Sequence, residues 1–296
     1  MSSKPIKART DDWTSSDFWR AKAPELHIED PAYIQSLTLL GLNDEMGARL
    51  RQAVKEEGYF QLSPPQWDLP IDLMARTLGQ FAEEGLPLPL AFVYDEFWLI
   101  FIKLTKVVEA ILGPGFKRLP DFWAWHVDPS KGESGWSPHR DKGFMSLRAD
   151  GSPKSFTLWL PLTEANTHNG CMYMVPANRD PTYGTPNDKE WRFAYPDIRA
   201  LPAAAGSIIG WNQAVMHWGS RSSPLANGPR VSLALEFQAG DVEPFNQPLM
   251  EPLTIPNFEM RPRLIAKQIL QYQHMYPLAD DARIFAEGLI RAPTAV

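Results

Sequence analysis

The sequence has little cysteine and no long apolar run, and each absence excludes a class of protein. The single cysteine, Cys171, cannot form an internal disulfide and favours a reducing compartment, so we expect a cytoplasmic protein. The longest apolar stretch, 97–104, contains Lys103 and is too short to span a bilayer. Residues 1–9 are polar and basic, without the apolar segment of a signal peptide.

Positive charge is also scarce. The 29 Lys and Arg residues are outnumbered by 35 Asp and Glu, which gives a net charge of −6. This balance argues against nucleic acid as a partner and against a basic surface that faces a membrane. The 28 prolines and 11 tryptophans indicate many loops and an aromatic-rich interior or pocket.

The pattern of apolar residues changes near residue 120. Before it, helical spacing occurs in 30–57, 71–84 and 94–112, and 58–62 is typical of a short strand. After it, short β-branched and aromatic segments alternate with turns, as in a β-barrel or sandwich. The predicted strands are 122–127, 143–149, 155–162, 172–175, 198–201, 207–211, 214–218 and 230–239. Helical spacing returns at 262–272 and 282–290.

We therefore predict one domain over 1–296, with a mainly β core and helices at both ends. Its parts are a loose arm at 1–15, a mostly helical flank at 16–120, the β core at 121–240 and a C-terminal helical extension at 241–296. The C-terminal helices have two interpretations: they close the active site, or they form a homodimer contact. The sequence does not decide between them.

A short motif, His139-Arg140-Asp141, is the strongest sign of chemistry. On an extended segment, side chains two residues apart point the same way, so His139 and Asp141 can bind one ion from one side. His217, far along the chain, can complete the set. Two histidines and one carboxylate on one face of a metal form the facial triad of non-haem Fe(II) oxygenases. Taken alone, the motif is weak, because this spacing is common by chance.

The segment from Arg230 to Phe237 alternates between two kinds of side chain. The odd positions are all apolar and suit a sheet-to-sheet core, whereas Arg230 and Ser232 face the other side. A buried arginine is costly unless a carboxylate meets it, and the far end of a dicarboxylate would do so. The alternative is a salt bridge to a protein carboxylate. Arg221 is a second candidate for binding the far carboxylate of the dicarboxylate, but it lies in a Gly/Ser-rich loop and no strand fixes its position.

The segment 156–162 has the same alternation. Its even positions are apolar, whereas Thr157 and Trp159 point the opposite way. Trp159 then either walls the cosubstrate pocket or is a buried structural tryptophan.

In this order the motifs resemble the phytanoyl-CoA dioxygenase-like family of Fe(II)/2-oxoglutarate oxygenases, over roughly residues 45 to 240. The matching residues are Glu57-Gly58-Tyr59-Phe60, His139/Asp141, Trp159-Leu160-Pro161-Leu162, Asn169-Gly170 with Val175-Pro176, His217, and Arg230/Ser232. The resemblance implies a double-stranded β-helix (jelly roll, cupin-like), with iron held by His139, Asp141 and His217. It also implies that Arg230 holds 2-oxoglutarate and that O₂ is the second cosubstrate.

The resemblance also decides between two H-x-D motifs, since His126-Val127-Asp128 has the same spacing. The family has a strand and a Gly/Pro-bearing loop before its metal pair, and often an aromatic residue just upstream, as Trp136 is. These features favour His139 and Asp141. His126 then either contacts cosubstrate or substrate, or is a structural histidine.

Two departures from the family affect other positions. Pro176-Ala177-Asn178-Arg179 stands where the family commonly has P-G-S-H-R, which puts substrate contacts near this turn in doubt. Arg140 stands where many members have glutamine, and we expect it to point away from the metal. It then lies either at the pocket rim or on the surface, and we favour the surface. The segment 176–198 is either a lid over the pocket or a packed surface excursion.

The expected activity is hydroxylation of a C–H bond of a small organic molecule, coupled to conversion of 2-oxoglutarate to succinate and CO₂. Related halogenases lack the carboxylate ligand, so the presence of Asp141 favours hydroxylation. Desaturation or ring formation with the same cofactors is one alternative. A cupin-type metalloenzyme that does not use 2-oxoglutarate is a second, and a barrel without metal is a third.

Overall fold

Two antiparallel sheets form the centre of the structure, a computed structural model that describes residues 9–291. The strands are β1 (Tyr59–Leu62), β2 (Lys117–Val127), β3 (Ser155–Pro161), β4 (Met172–Val175), β5 (Arg199–Leu201), β6 (Ile208–Asn212), β7 (Met216–Gly219) and β8 (Arg230–Gln238). The helices are α1 (Ser16–Lys22), α2 (Pro31–Ser36), α3 (Asp44–Glu56), α4 (Ile71–Glu83), α5 (Glu96–Ile102), α6 (Thr105–Leu112), α7 (Met260–Gln271) and α8 (Asp280–Arg291).

The strand order confirms the predicted fold class. One sheet has five strands in the order β1-β6-β3-β8-β2, and the other has three in the order β5-β4-β7. All pairs are antiparallel, and many neighbours are distant in sequence. This is the arrangement of a double-stranded β-helix with flanking helices.

The central strands β3 and β8 separate the core from the site. Leu158 pairs with Leu235, and both belong to the large apolar core that the helices cover. Trp159 pairs with Ala234, and both belong to a smaller apolar cluster on the other side. Because successive side chains alternate between faces, one strand supplies both the core and the interior of the β-helix.

The helical flank is more divided than the sequence pattern indicates. The pattern at 30–57 forms α2 and α3, and the N-terminus of α3 is capped by Asn43, whose side chain accepts from the backbone of Met46. The pattern at 94–112 forms α5 and α6, which are separated near Lys103. The Lys103 ammonium lies 2.5 Å from Asp68 Oδ1 and donates to Thr38 O. These partners are distant in sequence, so periodicity could not reveal the break.

Two local predictions are wrong. The segment 143–149 is not a strand: residues Gly143–Ser146 form a 3-10 helix that begins at a glycine with φ of 63°. The Phe144 amide there donates to Asp188 Oδ2, a tertiary contact. The predicted arm at 1–15 lies partly outside the described residues. Of the rest, Thr10–Thr14 is helical and Trp13 is buried, with its ring 5.6 Å from that of Phe285.

The C-terminal helices pack on their own chain. Arg261 of α7 is buried, lies 2.6 Å from Asp95 Oδ1 and donates to Val93 O. Tyr272, just after α7, packs on Trp123 and Trp136 of the β core. These contacts favour the interpretation that the C-terminal helices close the site over that of a dimer contact. Within residues 9–291, no helix combines the length and apolar character needed to cross a membrane.

Candidate active site

The three candidate metal ligands converge at the end of β7. His139 and His217 form a hydrogen-bonded backbone pair, with N···O distances of 3.0 and 2.9 Å in the two directions. Asp141 Oδ1 lies 3.4 Å from the Nε2 atom of each histidine. One ligand atom from each residue falls within 4.8 Å of the others. Three donors from two segments therefore surround one point, as the sequence predicts.

Both imidazoles are oriented by the backbone. His139 Nδ1 lies 2.7 Å from Ser137 O, and His217 Nδ1 lies 3.0 Å from Val215 O. Because a carbonyl only accepts, each Nδ1 carries the hydrogen and each Nε2 presents a lone pair. His139 Nε2 is buried without a hydrogen-bond partner. Such outer contacts fix the tautomer of metal-binding histidines, so the residues fit a divalent metal.

The carboxylate is oriented in the same way. Asp141 Oδ2 accepts from Thr157 Oγ1 and from Trp211 Nε1, each at 2.9 Å. The other oxygen, Oδ1, is thereby left to face the two histidines. Burial raises the pKa of Asp141, but the neighbouring His217 and His139 outweigh it and hold the pKa well below its ordinary value. The carboxylate is therefore ionised, as a metal ligand must be.

Arg230 is buried in the interior of the β-helix without a carboxylate. It is 1% exposed, and within residues 9–291 no Asp or Glu oxygen lies within 4.0 Å of it. Its Nη1 donates to Ser232 Oγ at 2.5 Å, and its Nε has no partner. Burial lowers the pKa of Arg230 to about 10, which still leaves it charged at neutral pH. A buried, unpaired guanidinium fits an anionic group that binds from outside the chain.

A close backbone approach makes room for this guanidinium. A Cβ at Gly135 would lie 2.6 Å from Gly219 Cα and 3.1 Å from Arg230 Nη2. Only glycine allows the two segments to meet there. The guanidinium carbon lies 5.6 Å from the ring centre of Trp159. One cavity, here called the inner cavity, is lined by Trp159, by Arg230 and by all three candidate ligands.

The sequence model of the phytanoyl-CoA dioxygenase family (PhyH) matches residues 43–224, more than half of the chain. The chain belongs to this family. The match contains His139, Asp141 and His217 but ends before Arg230. No curated protein matches the sequence.

Several solved structures share the family's fold. A non-haem monooxygenase, ThoJ, is 11% identical, with a TM-score of 0.53 over 81% of this chain and 99% of that one. HygX from Streptomyces hygroscopicus, with nickel and 2-oxoglutarate bound, is 13% identical, with a TM-score of 0.51 over 68% and 88%. The epimerase SnoN, in complex with Fe³⁺, α-ketoglutarate and nogalamycin RO, is 16% identical, with a TM-score of 0.50 over 77% and 96%.

The second H-x-D motif of this family member lies outside the site. His126 pairs with Val231, a residue of the apolar core, so its side chain points away from the inner cavity, which it does not line. Of the two interpretations of His126, this geometry favours a structural histidine over a contact with cosubstrate or substrate. Its neighbour Asp128 instead caps the turn at Ser130. Arg221, the second candidate for binding the dicarboxylate, is exposed.

The position of Arg140 differs from the prediction. It points away from the metal position, but its side chain is buried at 5% exposure, not on the surface. The guanidinium donates to Asp180 Oδ2, Ala214 O and Asp188 O at 2.6–2.8 Å. Arg140 therefore links the segment 180–188 to the outside of the β-helix, on the side away from the metal position.

The segment 176–198 is a packed excursion. Tyr183 packs on the smaller apolar cluster and accepts from Asn212 Nδ2 at 2.8 Å. Phe193 stacks near Trp218, at 6.3 Å between ring centres. None of its residues lines the inner cavity or the opening beside the candidate ligands. The structure therefore gives this segment no lid function.

A second space, here called the outer chamber, opens beside His139 and Asp141, with a volume of about 470 Å³. Its polar and aromatic lining includes Asp121, Glu236, Lys142, Trp136, Phe245 and Tyr272. Most of these residues belong to none of the sequence motifs described above. Glu236 was predictable, because it shares the face of β8 with Arg230. Phe245 and Tyr272 come from the C-terminal extension and belong to no motif.

Proposed function

We propose that this protein is an Fe(II)- and 2-oxoglutarate-dependent oxygenase that hydroxylates a C–H bond of a small organic molecule. The observation that carries the proposal is the single cavity that joins the three candidate ligands to a buried arginine without a carboxylate partner. Family membership supports it, as do HygX and SnoN, which contain 2-oxoglutarate or α-ketoglutarate with a metal.

In this proposal His139, Asp141 and His217 hold iron through Nε2, Oδ1 and Nε2. Arg230 binds the distal carboxylate of 2-oxoglutarate, with Ser232 beside it and Trp159 as a wall of the pocket. Bound Fe(II) and 2-oxoglutarate supply the reduction of O₂ that is coupled to decarboxylation of the keto acid, with succinate and CO₂ as products. A facial set of three ligands leaves the other positions of an octahedral metal open for cosubstrates.

The chain's residues have distinct tasks in this reaction. Ser137 O and Val215 O keep the imidazoles aimed, and Thr157 and Trp211 keep Asp141 turned to the metal. The tryptophan-rich wall of the inner cavity excludes water from the cosubstrate.

Asp141 favours hydroxylation over halogenation, because its carboxylate occupies the position that a halide would need. Desaturation and ring formation with the same cofactors are the alternative outcomes. A cytoplasmic location is also proposed, on the evidence of the single cysteine, which is buried and free.

The test is succinate formation with Fe(II), ascorbate and 2-oxoglutarate, combined with the visible absorption of the anaerobic iron–keto acid complex. His217→Ala should abolish the absorption and lower succinate formation by at least about 10³-fold, because the metal loses one of three protein ligands. His168→Ala, the same change at an exposed histidine, is the matched control. Full succinate formation by His217→Ala, or none by the unmodified protein with its substrate, would overturn the proposal.

The cupin-type alternative is tested by Arg230→Ala. A variant that keeps full activity, with its dependence on 2-oxoglutarate unchanged, would favour a metalloenzyme that does not bind the keto acid through this residue. Failure of the unmodified protein to bind Fe(II), or Mn(II) as a surrogate, would favour a barrel without metal.

A further inference from the structure

The outer chamber contains a buried carboxylate without a cation. Asp121 is 4% exposed and accepts hydrogen bonds from the side-chain amides of Asn246 and Gln271, at 2.8–2.9 Å. Within residues 9–291, no Lys, Arg or His nitrogen lies within 4.0 Å of this carboxylate. Lys267 donates to Asn246 Oδ1 and Gln247 O instead, and it does not line the chamber. The Asp121 carboxylate therefore forms no ion pair with another described residue.

A second carboxylate in the chamber is paired. Glu236 accepts from the ammonium group of Lys142, whose nitrogen also lies 5.7 Å from the ring centre of Phe245. Burial, with the charges of Asp121 and Asp141, raises the pKa of Glu236 to about 7 in spite of Lys142.

The acidic and basic side chains of the chamber indicate what it would receive. Lys142 is its cationic side chain of the Lys or Arg type, and Lys142 donates to Glu236. Asp121 instead receives its side-chain hydrogen bonds from the neutral amides of Asn246 and Gln271. A positively charged group of a substrate would therefore meet in Asp121 a carboxylate that forms no ion pair within residues 9–291.

Aromatic rings surround the same space. Trp136 and Tyr272 line the chamber with ring centres 4.8 Å apart, and Trp123 lies 4.9 Å from Tyr272 and lines the adjoining inner cavity. Aromatic side chains attract ammonium groups through the negative potential of the ring face, and such rings with nearby carboxylates are the usual site for substituted ammonium ions. The rings and the unpaired carboxylate are independent observations that indicate the same ligand.

We propose that the substrate is an organic cation, a substituted ammonium compound whose charged group binds in the outer chamber between the carboxylates of Asp121 and Glu236 and the rings of Trp136 and Tyr272. This inference rests on the proposed function, because it assigns the substrate class of that site. The ammonium group is held beside the metal position, and a C–H bond on the same molecule is presented to it.

The test is calorimetric binding to the full chain loaded with Mn(II) and 2-oxoglutarate, with two matched pairs of probes. Choline is compared with its uncharged tert-butyl analogue, and phenethylamine with phenethyl alcohol. Each cation should bind about tenfold more tightly than its neutral partner, since an ammonium gains both ring and carboxylate contacts. Equal or tighter binding of the neutral probes would overturn the inference, and this comparison needs no variant.

Substitutions test which residues produce the preference for cations. Asp121→Asn should weaken binding of both cations by about tenfold and leave the neutral probes unaffected. Asp241→Asn, which removes the same charge at an exposed position outside the chamber, is the control and should change neither. Tyr272→Leu should weaken the binding of both cations, whereas Tyr272→Phe, which keeps the aromatic ring, should leave it unchanged. Circular dichroism verifies that each variant is folded.

One further measurement separates this inference from the proposed function. Anaerobic addition of Fe(II) and 2-oxoglutarate to the same preparation reports the iron–keto acid complex by its visible absorption. If the complex forms but the cations show no preference over the neutral probes, the substrate class is wrong and the oxygenase proposal stands. If the complex does not form, the oxygenase proposal fails, and the substrate class fails with it.

Discussion

The two faces of β3 and β8 are built from the same strands but serve opposite purposes. On the outer face, Leu158 and Leu235 are fully buried in the large core beneath the helices. On the inner face, Thr157 and Arg230 are also buried, yet their polar atoms are directed at a candidate metal ligand and at the interior. Burial alone therefore does not distinguish a structural position from a functional one. The distinguishing observation is whether a buried polar group has its partner within the chain.

This difference predicts that outer-face substitutions change stability and inner-face substitutions change cofactor binding. Leu235→Ala should show the largest effect, a loss of roughly 2–5 kcal/mol in the free energy of unfolding, because it removes a fully buried side chain and leaves a cavity. Urea denaturation measures the loss. The KM for 2-oxoglutarate of the folded fraction should stay the same. A loss below about 1 kcal/mol would contradict the structural assignment of this face.

Arg230→Ala should have the opposite signature. We expect the KM for 2-oxoglutarate to rise roughly 10²-fold, because a charged group in a buried site loses its partner. The free energy of unfolding should not fall, because Arg230 has no carboxylate partner to lose. Arg230→Lys keeps the positive charge but loses the bidentate hydrogen bonding of the guanidinium, so it should raise the KM less than Arg230→Ala does. Steady-state succinate assays measure the KM, and urea denaturation measures the stability. A large loss of stability with an unchanged KM would mean that Arg230 is a structural residue and does not bind the cosubstrate.

Thr157→Val should show the smallest effect, and it refines the comparison within the inner face. The change keeps the shape but removes the hydroxyl that donates to Asp141 Oδ2, so the affinity for Fe(II) should fall about 10-fold to 100-fold. Competition with a metal indicator measures this affinity. Thr163→Val, which removes a hydroxyl bonded to Pro229 O, is the matched control. An equal loss in both variants would mean that the hydroxyl matters to folding and not to the metal.

The alternation of apolar and polar side chains along these strands is predictable from the sequence, because successive side chains of a strand point to opposite faces of the sheet. Arg230 and Ser232 lie on the same face, as predicted, and the apolar partners lie on the other. The convergence of His139 and His217 was harder to predict, since it depends on a backbone pair between distant segments. The resemblance to a known order of motifs predicts it, whereas periodicity does not.

The wrong predictions share one physical cause, which is contact with a distant part of the chain. The segment at 143–149 has strand-like composition, but Asp188 binds its backbone and the strand does not form. Arg140 points away from the metal as predicted, yet the segment 180–188 covers it. Local patterns describe which way a side chain points, whereas only the assembled fold shows what lies there.

The wall of the outer chamber has a practical consequence. Phe245 and Tyr272 lie beyond residue 224, where the family match ends, whereas the three candidate ligands lie within it. Two other residues of the same wall, Asp121 and Trp136, lie within the match. Exchange of residues 241–276 between family members would therefore replace one part of the chamber wall and leave the three candidate ligands and Arg230 in place, which makes this extension a starting point for redesign.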